Sequence, residues 1–158
     1  MFGYSRDIDS EFINRACRFA YTILMDEEEA RDAVQDVLLK IYSKHLFVIN
    51  MESYIIRSVR NNCLDRIRCR KNWCSLADLR EMEGSPNAND DKNLVRFAIA
   101  KLPDKQKMVI HLKDIEGYST KDVSKLLGID ENQIRIILSR ARKAMRVIIE
   151  KEMQDGEY

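Results

Sequence analysis

Apolar residues recur every three or four positions along most of the chain, the period of an amphipathic helix. The first run is Phe12, Ala16, Phe19 and Ile23; the second is Val34, Val37, Leu38, Ile41 and Tyr42; the third is Ile55, Ile56, Val59, Cys63 and Ile67. No segment alternates like a strand, so these three runs predict one small helical bundle. The pattern breaks over residues 69–92, where Gly84, Ser85, Pro86, Asn87 and Asn89 cluster. A flexible coil of about 20 residues spans roughly 25 Å, enough to join two domains without fixing their orientation. The period resumes at Leu94 to Leu102, and Pro103 opens a helix over 104–114 that Gly117 ends. Ser119 is placed to cap a short helix over 120–127. Gly128, Ile129 and Asp130 then turn the chain into a long helix from 131 to about 150, with Gly128 left-handed and Asp130 as cap. The expected fold is all-α: two small helical domains joined by a flexible linker, the second a helix-turn-helix. The expected boundaries are 1–72, a linker at 73–92, 93–150, and an acidic tail at 151–158.

Composition narrows the class. The 158 residues are 45% hydrophobic and 34% charged, too apolar for a disordered chain. No run approaches the roughly 18 to 20 apolar residues of a membrane span, and residues 1–10 lack a signal-peptide pattern. A soluble, cytoplasmic protein is expected. Among Cys17, Cys63, Cys69 and Cys74 no pair has C-x-x-C spacing, and His45 and His111 lie far apart. Cys17 and Cys63 fall on apolar stripes, which favours reduced, packed thiols over a metal or redox site.

The formal net charge of +1 conceals an uneven distribution. Residues 1–50 carry 6 basic and 9 acidic side chains, 51–75 carry 6 and 2, and 131–148 carry 5 and 1. Two basic islands suggest two contacts with a polyanion, although solvated helix faces have the same composition.

A helix-turn-helix lays its second helix in the DNA major groove, and the long C-terminal helix has the residues for it. Ile134, Ile137 or Leu138, Ala141, Met145 and Ile148 form an inward stripe. Arg135, Ser139, Arg140, Arg142, Lys143 and Arg146 fall mainly on the remaining surface. Arginines of the first turns can reach guanine edges, those further along reach phosphates, and Ile136 can touch a thymine methyl. The same geometry also occurs in proteins that bind no DNA. In the first domain, Asp32, Gln35 and Asp36 make an acidic patch at i, i+3, i+4, suited to a basic partner protein or to solvent. On the third helix Arg57, Arg60, Asn61 and Arg68 share a side, with Tyr54 at its start and a mixed loop from Lys44 before it. Arginines for phosphates, an aromatic for stacking and an amide for base edges suit single-stranded nucleic acid, while Tyr54 also fits a core role.

In this order the features resemble the extracytoplasmic-function group of the sigma-70 family, the promoter-specificity subunits of bacterial RNA polymerase. Residues 30–37, ARDAVQDV, are similar to the family's A-E-D-L-V-Q-E-V helix; Tyr54-Ile55-Ile56-Arg57 and Arg60-Asn61-Asn62-Cys63-Leu64-Asp65-Arg66-Ile67-Arg68 are similar to its minus-10 helix. Residues 102–106, LPDKQ, 116–119, EGYS, 127–129, LGI, and 139–144, SRARKA, are similar to L-P-E-R-Q, E-G-L-S-Y, L-G-I and H-R-A-R-K-A. Tyr54 stands where Trp is common, and aliphatic Ile136 and Ile137 stand where the recognition helix is often polar.

The resemblance implies that Asp32, Gln35 and Asp36 dock on the β′ clamp helices of core polymerase. It implies that Tyr54, Arg57, Arg60, Asn61 and Arg68 engage the melted minus-10 element, Asn61 and the loop 44–53 holding a flipped base. Arg135, Ile136, Ser139, Arg140, Arg142 and Lys143 would read the minus-35 duplex, with the β flap as a second polymerase contact. It further implies an anti-sigma partner, often membrane-anchored. The rival reading is a stand-alone helix-turn-helix regulator, which would bind DNA without polymerase. No Gly-rich phosphate loop, H-E-x-x-H or His-paired nucleophile is present in the sequence, so no enzyme, cofactor or small-molecule substrate is expected.

Overall fold

The computed structural model describes residues 8–44, 48–73 and 91–155. These form seven α-helices and, among the described residues, no strand: α1 (Ser10–Leu24), α2 (Glu27–Ser43), α3 (Met51–Trp73), α4 (Asp91–Ala100), α5 (Asp104–Ile110), α6 (Thr120–Leu127) and α7 (Glu131–Asp155). Helices α1 to α3 make one small domain and α4 to α7 a second, in which α6 and α7 are the helix-turn-helix.

Local chemistry sets the helix ends. Asp9 accepts from the Glu11 amide at the start of α1, and Asp26 from the Glu29 amide at the start of α2. Glu27, Glu28 and Glu29 then occupy the first turn of α2, where the positive end of the helix dipole favours them. Asn50 accepts from the Ser53 amide and starts α3 at Met51, so the loop expected from Lys44 to Ser53 is shorter than its sequence suggests. Its residues 45–47 lie outside those described. Ser119 accepts from the Asp122 amide and Asp130 from the Asn132 amide, while Gly128 is left-handed at φ 68°, as the turn requires.

Three stretches differ from the periodic reading. Helix α3 runs on to Trp73 although its apolar stripe fades after Ile67, because Arg70 pairs with Glu29 and ties the last turns to α2. Helix α4 starts at Asp91, so the irregular segment is shorter than 69–92; residues 74–90, with the Gly-Ser-Pro cluster, lie outside those described. Helix α7 continues to Asp155, into the stretch expected as an acidic tail. Pro103 precedes α5 as its cap, and α5 widens at His111–Ile115 into a π-helical turn, closed by Glu116 N–H donating to the His111 carbonyl at 2.9 Å.

The two domains are packed together. One buried apolar cluster continues from Phe12, Phe19 and Ile23 through Val59 and Cys63 to Val109, Val123, Leu127, Ile134 and Ala141. Helix α1 meets α5, and α3 meets α6.

Candidate nucleic-acid interface

Burial of Ile55, Ile56, Val59 and Cys63 orients α3 and decides where its polar residues point. Tyr54 and Asn61 lie on the rim of a groove of about 680 Å³ between α2 and α3, lined also by Lys40, Ser58, Arg66 and Arg70. Tyr54 packs partly against the core while lining the groove, so it fills the core role open to it from sequence. Asn61 is exposed and accepts from Arg60 Nε at 3.3 Å; Arg68 is exposed and paired with Asp65 at 3.3 Å.

Arg57 and Arg60 leave that groove and turn to the second domain. Arg57 Nη2 donates to the Lys125 carbonyl at 2.6 Å and its Nε to the Leu126 carbonyl at 3.3 Å, and Arg60 Nη1 donates to the Leu127 carbonyl at 2.8 Å. Burial and the neighbouring Arg57 charge push the Arg60 guanidinium below its ordinary pKa. Of the five residues expected on one strand-binding face, Tyr54 and Asn61 line the groove, Arg57 and Arg60 make the domain contact, and Arg68 does neither.

On α2, Asp32, Gln35 and Asp36 are all exposed, while Ala33, Val34 and Val37 are buried behind them. Asp36 is paired with Arg66 of α3 at 2.7 Å, and Arg66 also donates to Asn62 at 2.8 Å. Exposed Leu39 and Tyr42 extend the same helix with apolar surface.

The second helix of the helix-turn-helix presents its residues as its period demands. Ile134, Leu138 and Ala141 are buried, with Met145 and Ile148 packed at the edge of the core. Ile136 is 51% exposed, and Arg135, Ser139, Arg140 and Lys143 are also exposed. Arg135 is held by Asn132 at 3.0 Å and by Glu131 at 3.5 Å. Arg142 differs from its neighbours: its Nε and Nη2 bind the two carboxylate oxygens of Asp114 at 3.1 and 2.7 Å. That hydrogen-bonded pairing raises its pKa and fastens α7 to the π-helical turn.

Two groups of residues carry no local sequence signal. Lys40, Ser58 and Arg66 line the α2–α3 groove, which exists only once the helices pack. At the domain contact, Arg18 binds Glu116 through two bonds of 2.7 and 3.1 Å, Thr22 Oγ1 lies 2.9 Å from His111 Nδ1, and Arg15 reaches the Tyr118 hydroxyl at 3.4 Å. Burial outweighs the adjacent carboxylate and pushes His111 down to about 4. Burial alone would raise Glu116, but the hydrogen bond from Arg18 and the nearby charges bring it below its ordinary value. Cys63 is buried and its thiol is pushed up to about 12, whereas Cys69 is exposed. Cys74 lies outside the described residues. Among the described residues no group of His, Cys, Asp or Glu is arranged to hold a metal ion, and no helix is long and apolar enough to cross a membrane.

Family comparison agrees with this two-part construction. Residues 10–72 match the family model for sigma-70 region 2, and residues 92–145 match that for sigma-70 region 4, together most of the chain and in that order. The chain belongs to the sigma-70 family. Within it, several relatives are named as of the extracytoplasmic-function type. It is 28% identical over 130 residues to the ECF RNA polymerase sigma factor SigM of Mycobacterium tuberculosis, covering 79% of this chain and 66% of that protein. It is 27% identical to the ECF RNA polymerase sigma factor SigW of Bacillus subtilis, covering 94% of this chain and 88% of that protein. The chain thus spans just under two thirds of the SigM relative. In fold it resembles the sigma factor RpoE of Bartonella quintana, solved in complex with the anti-sigma factor NepR, with a TM-score of 0.66, 23% identity and 89% of this chain and 92% of that chain covered. Matches to two sigma regions disfavour the stand-alone regulator.

Proposed function

We propose that this protein is an initiation factor that directs core RNA polymerase to promoters, acting without catalysis or cofactor, in the cytoplasm where polymerase works. In this reading residues 1–72 grip polymerase and capture the opened minus-10 strand, residues 93–150 read the minus-35 duplex, and 73–92 join them. The observation that carries it is the exposed basic surface of α7, Arg135, Ser139, Arg140 and Lys143, on a region 4 domain that follows a region 2 domain. Exposed cations at the second helix of a helix-turn-helix reach phosphates and guanine edges. Ile136 supplies an apolar contact for a thymine methyl. Asp32, Gln35 and Asp36, with Leu39 and Tyr42 beside them, offer polymerase a surface that mixes charge and apolar area, for which the β′ clamp helices are the expected partner, as the β flap is for the second domain. Tyr54 and Asn61 over the α2–α3 groove supply stacking and base-edge contacts, so that binding extruded bases offsets an unstacking cost of a few kcal/mol. An anti-sigma protein, membrane-anchored or free, is the regulator expected for such a factor.

The test is transcription in vitro by core polymerase with and without the purified protein on a promoter library. Start-site-dependent transcripts that appear only with the protein support the reading. Tight duplex binding by the protein alone, with no stimulation of polymerase, rejects it.

A further inference from the structure

Asn14, Arg18 and Tyr21 stand at i, i+4, i+7 along α1, one side of the helix, and all three are exposed. They line a cavity of about 580 Å³ that also draws residues from the first turn of α2, from α4 and from the π-helical turn. That is the size of a small-molecule site. Ala30 and Ile99, both buried, and Ile115 give it an apolar lining, while Arg18, Arg31 and Arg96 bring guanidinium groups from three helices. Arg18 is engaged with Glu116 and Arg31 with Glu27. Arg96 is exposed and makes no ion pair among the described residues. Two irregularities of the backbone meet at the same place. Met25, which ends α1, is among the described residues the one non-glycine with a left-handed backbone, at φ 58° and ψ 24°, where helices commonly use glycine. It keeps a side chain there, and that side chain lines the cavity. The π-helical turn, a widening often found at functional sites, lines it through His111 and Ile115.

We infer that this cavity is a binding site for a free nucleoside phosphate. A phosphate group needs charged donors, and Arg96 with Arg31 supplies them from two helices. Arg31 can hold Glu27 and still donate, because a guanidinium carries five N–H groups. A base needs a flat partner for its face and polar groups for its edge. Tyr21 offers its ring, and Asn14 offers an amide that both donates and accepts. Inorganic phosphate alone would leave the apolar lining uncovered, and a wholly apolar ligand would leave Arg96 without a counter-charge. A molecule with an anionic head and a planar body meets both requirements. The cavity shares no residue with the α2–α3 groove or with the basic surface of α7, so it is separate from both candidate DNA contacts. Its walls belong to both domains, and a ligand held there stabilises the folded protein by mass action.

The experiment is calorimetric titration of the full-length protein with AMP and with GMP, and separately with adenosine, guanosine and inorganic phosphate. One nucleotide is expected to bind per chain, about tenfold or more tighter than the nucleoside or phosphate alone, and to raise the melting temperature. Arg31→Gln and Arg96→Gln change exposed residues on different helices, and each is expected to weaken nucleotide binding about tenfold through loss of a charged hydrogen bond. Tyr21→Ala is expected to weaken nucleotide binding several-fold and to leave the affinity for inorganic phosphate as it was. Circular dichroism checks that helix content is kept; should one arginine variant lose it, the other and Tyr21→Ala carry the test. Absence of binding by both nucleotides, equal affinity for phosphate and AMP, or unchanged nucleotide binding in both arginine variants overturns the inference. Displacement of AMP by a short oligodeoxythymidylate that is itself weakened by Arg96→Gln also overturns it, because the cavity would then belong to a strand.

Discussion

His111 Nδ1 lies 2.9 Å from Thr22 Oγ1, joining the π-helical turn of the second domain to α1 of the first. The imidazole's other nitrogen is 3.3 Å from Glu116 Oε1. Thr22 Oγ1 also donates to the Arg18 carbonyl at 3.1 Å, so one hydroxyl links the α1 backbone to the imidazole.

Acid should loosen this junction. His111 is held at about 4 against an ordinary 6.5, so the packed form disfavours the protonated ring. The stability it contributes is present above pH 6.5 and is lost as pH falls from there toward 4; Glu116, also lowered, acts in the same direction. Between pH 7 and pH 5 the loss from His111 is about 2 kcal/mol. Urea denaturation at the two pH values should show this difference, and His111→Gln should reduce it to the contribution of the carboxylates.

Charge reversal on α2 should separate polymerase binding from folding. Asp32 is exposed, so Asp32→Lys is expected to abolish co-purification with core polymerase while moving stability by less than about 1 kcal/mol. Asp36→Lys also releases Arg66 from its 2.7 Å pair and is expected to cost slightly more stability. Retained binding in the double variant would remove this surface from the docking assignment.

The arginines of α7 should divide into two kinds. Arg140→Ala and Lys143→Ala are expected to weaken holoenzyme binding to promoter duplex across sequences, each lowering the salt slope by about 1. Arg142→Ala should instead lower the melting temperature of the protein, because its guanidinium is bound bidentately to Asp114. Ile136→Thr should alter the preferred minus-35 base and leave stability within about 0.5 kcal/mol.

Thiol reactivity should report packing. Cys69 is exposed and should react with a disulfide reagent in the native protein. Cys63, fully buried with its pKa pushed up to about 12, should react only on unfolding. Labelling of Cys63 at the rate of Cys69 under native conditions would contradict the packing of α3.

Much of this protein is determined by short stretches of its chain. The period of Phe12, Ala16 and Phe19, the capping side chains of Ser119 and Asp130, and the left-handed Gly128 act within one or two helical turns, so helices and turn are readable from neighbouring residues. So is the outward face of α7, because burying Ile134, Leu138 and Ala141 leaves Ile136 and Arg140 no other side. What the tertiary structure decided is which partner each arginine takes. Arg57, Arg60 and Arg18 bind groups 67 to 98 residues away, and Arg142 binds one 28 residues away. A long, flexible cation satisfies its charge wherever packing brings an acceptor within reach. Its place on the helix is therefore written in the local sequence, and its bond is settled only when the domains meet.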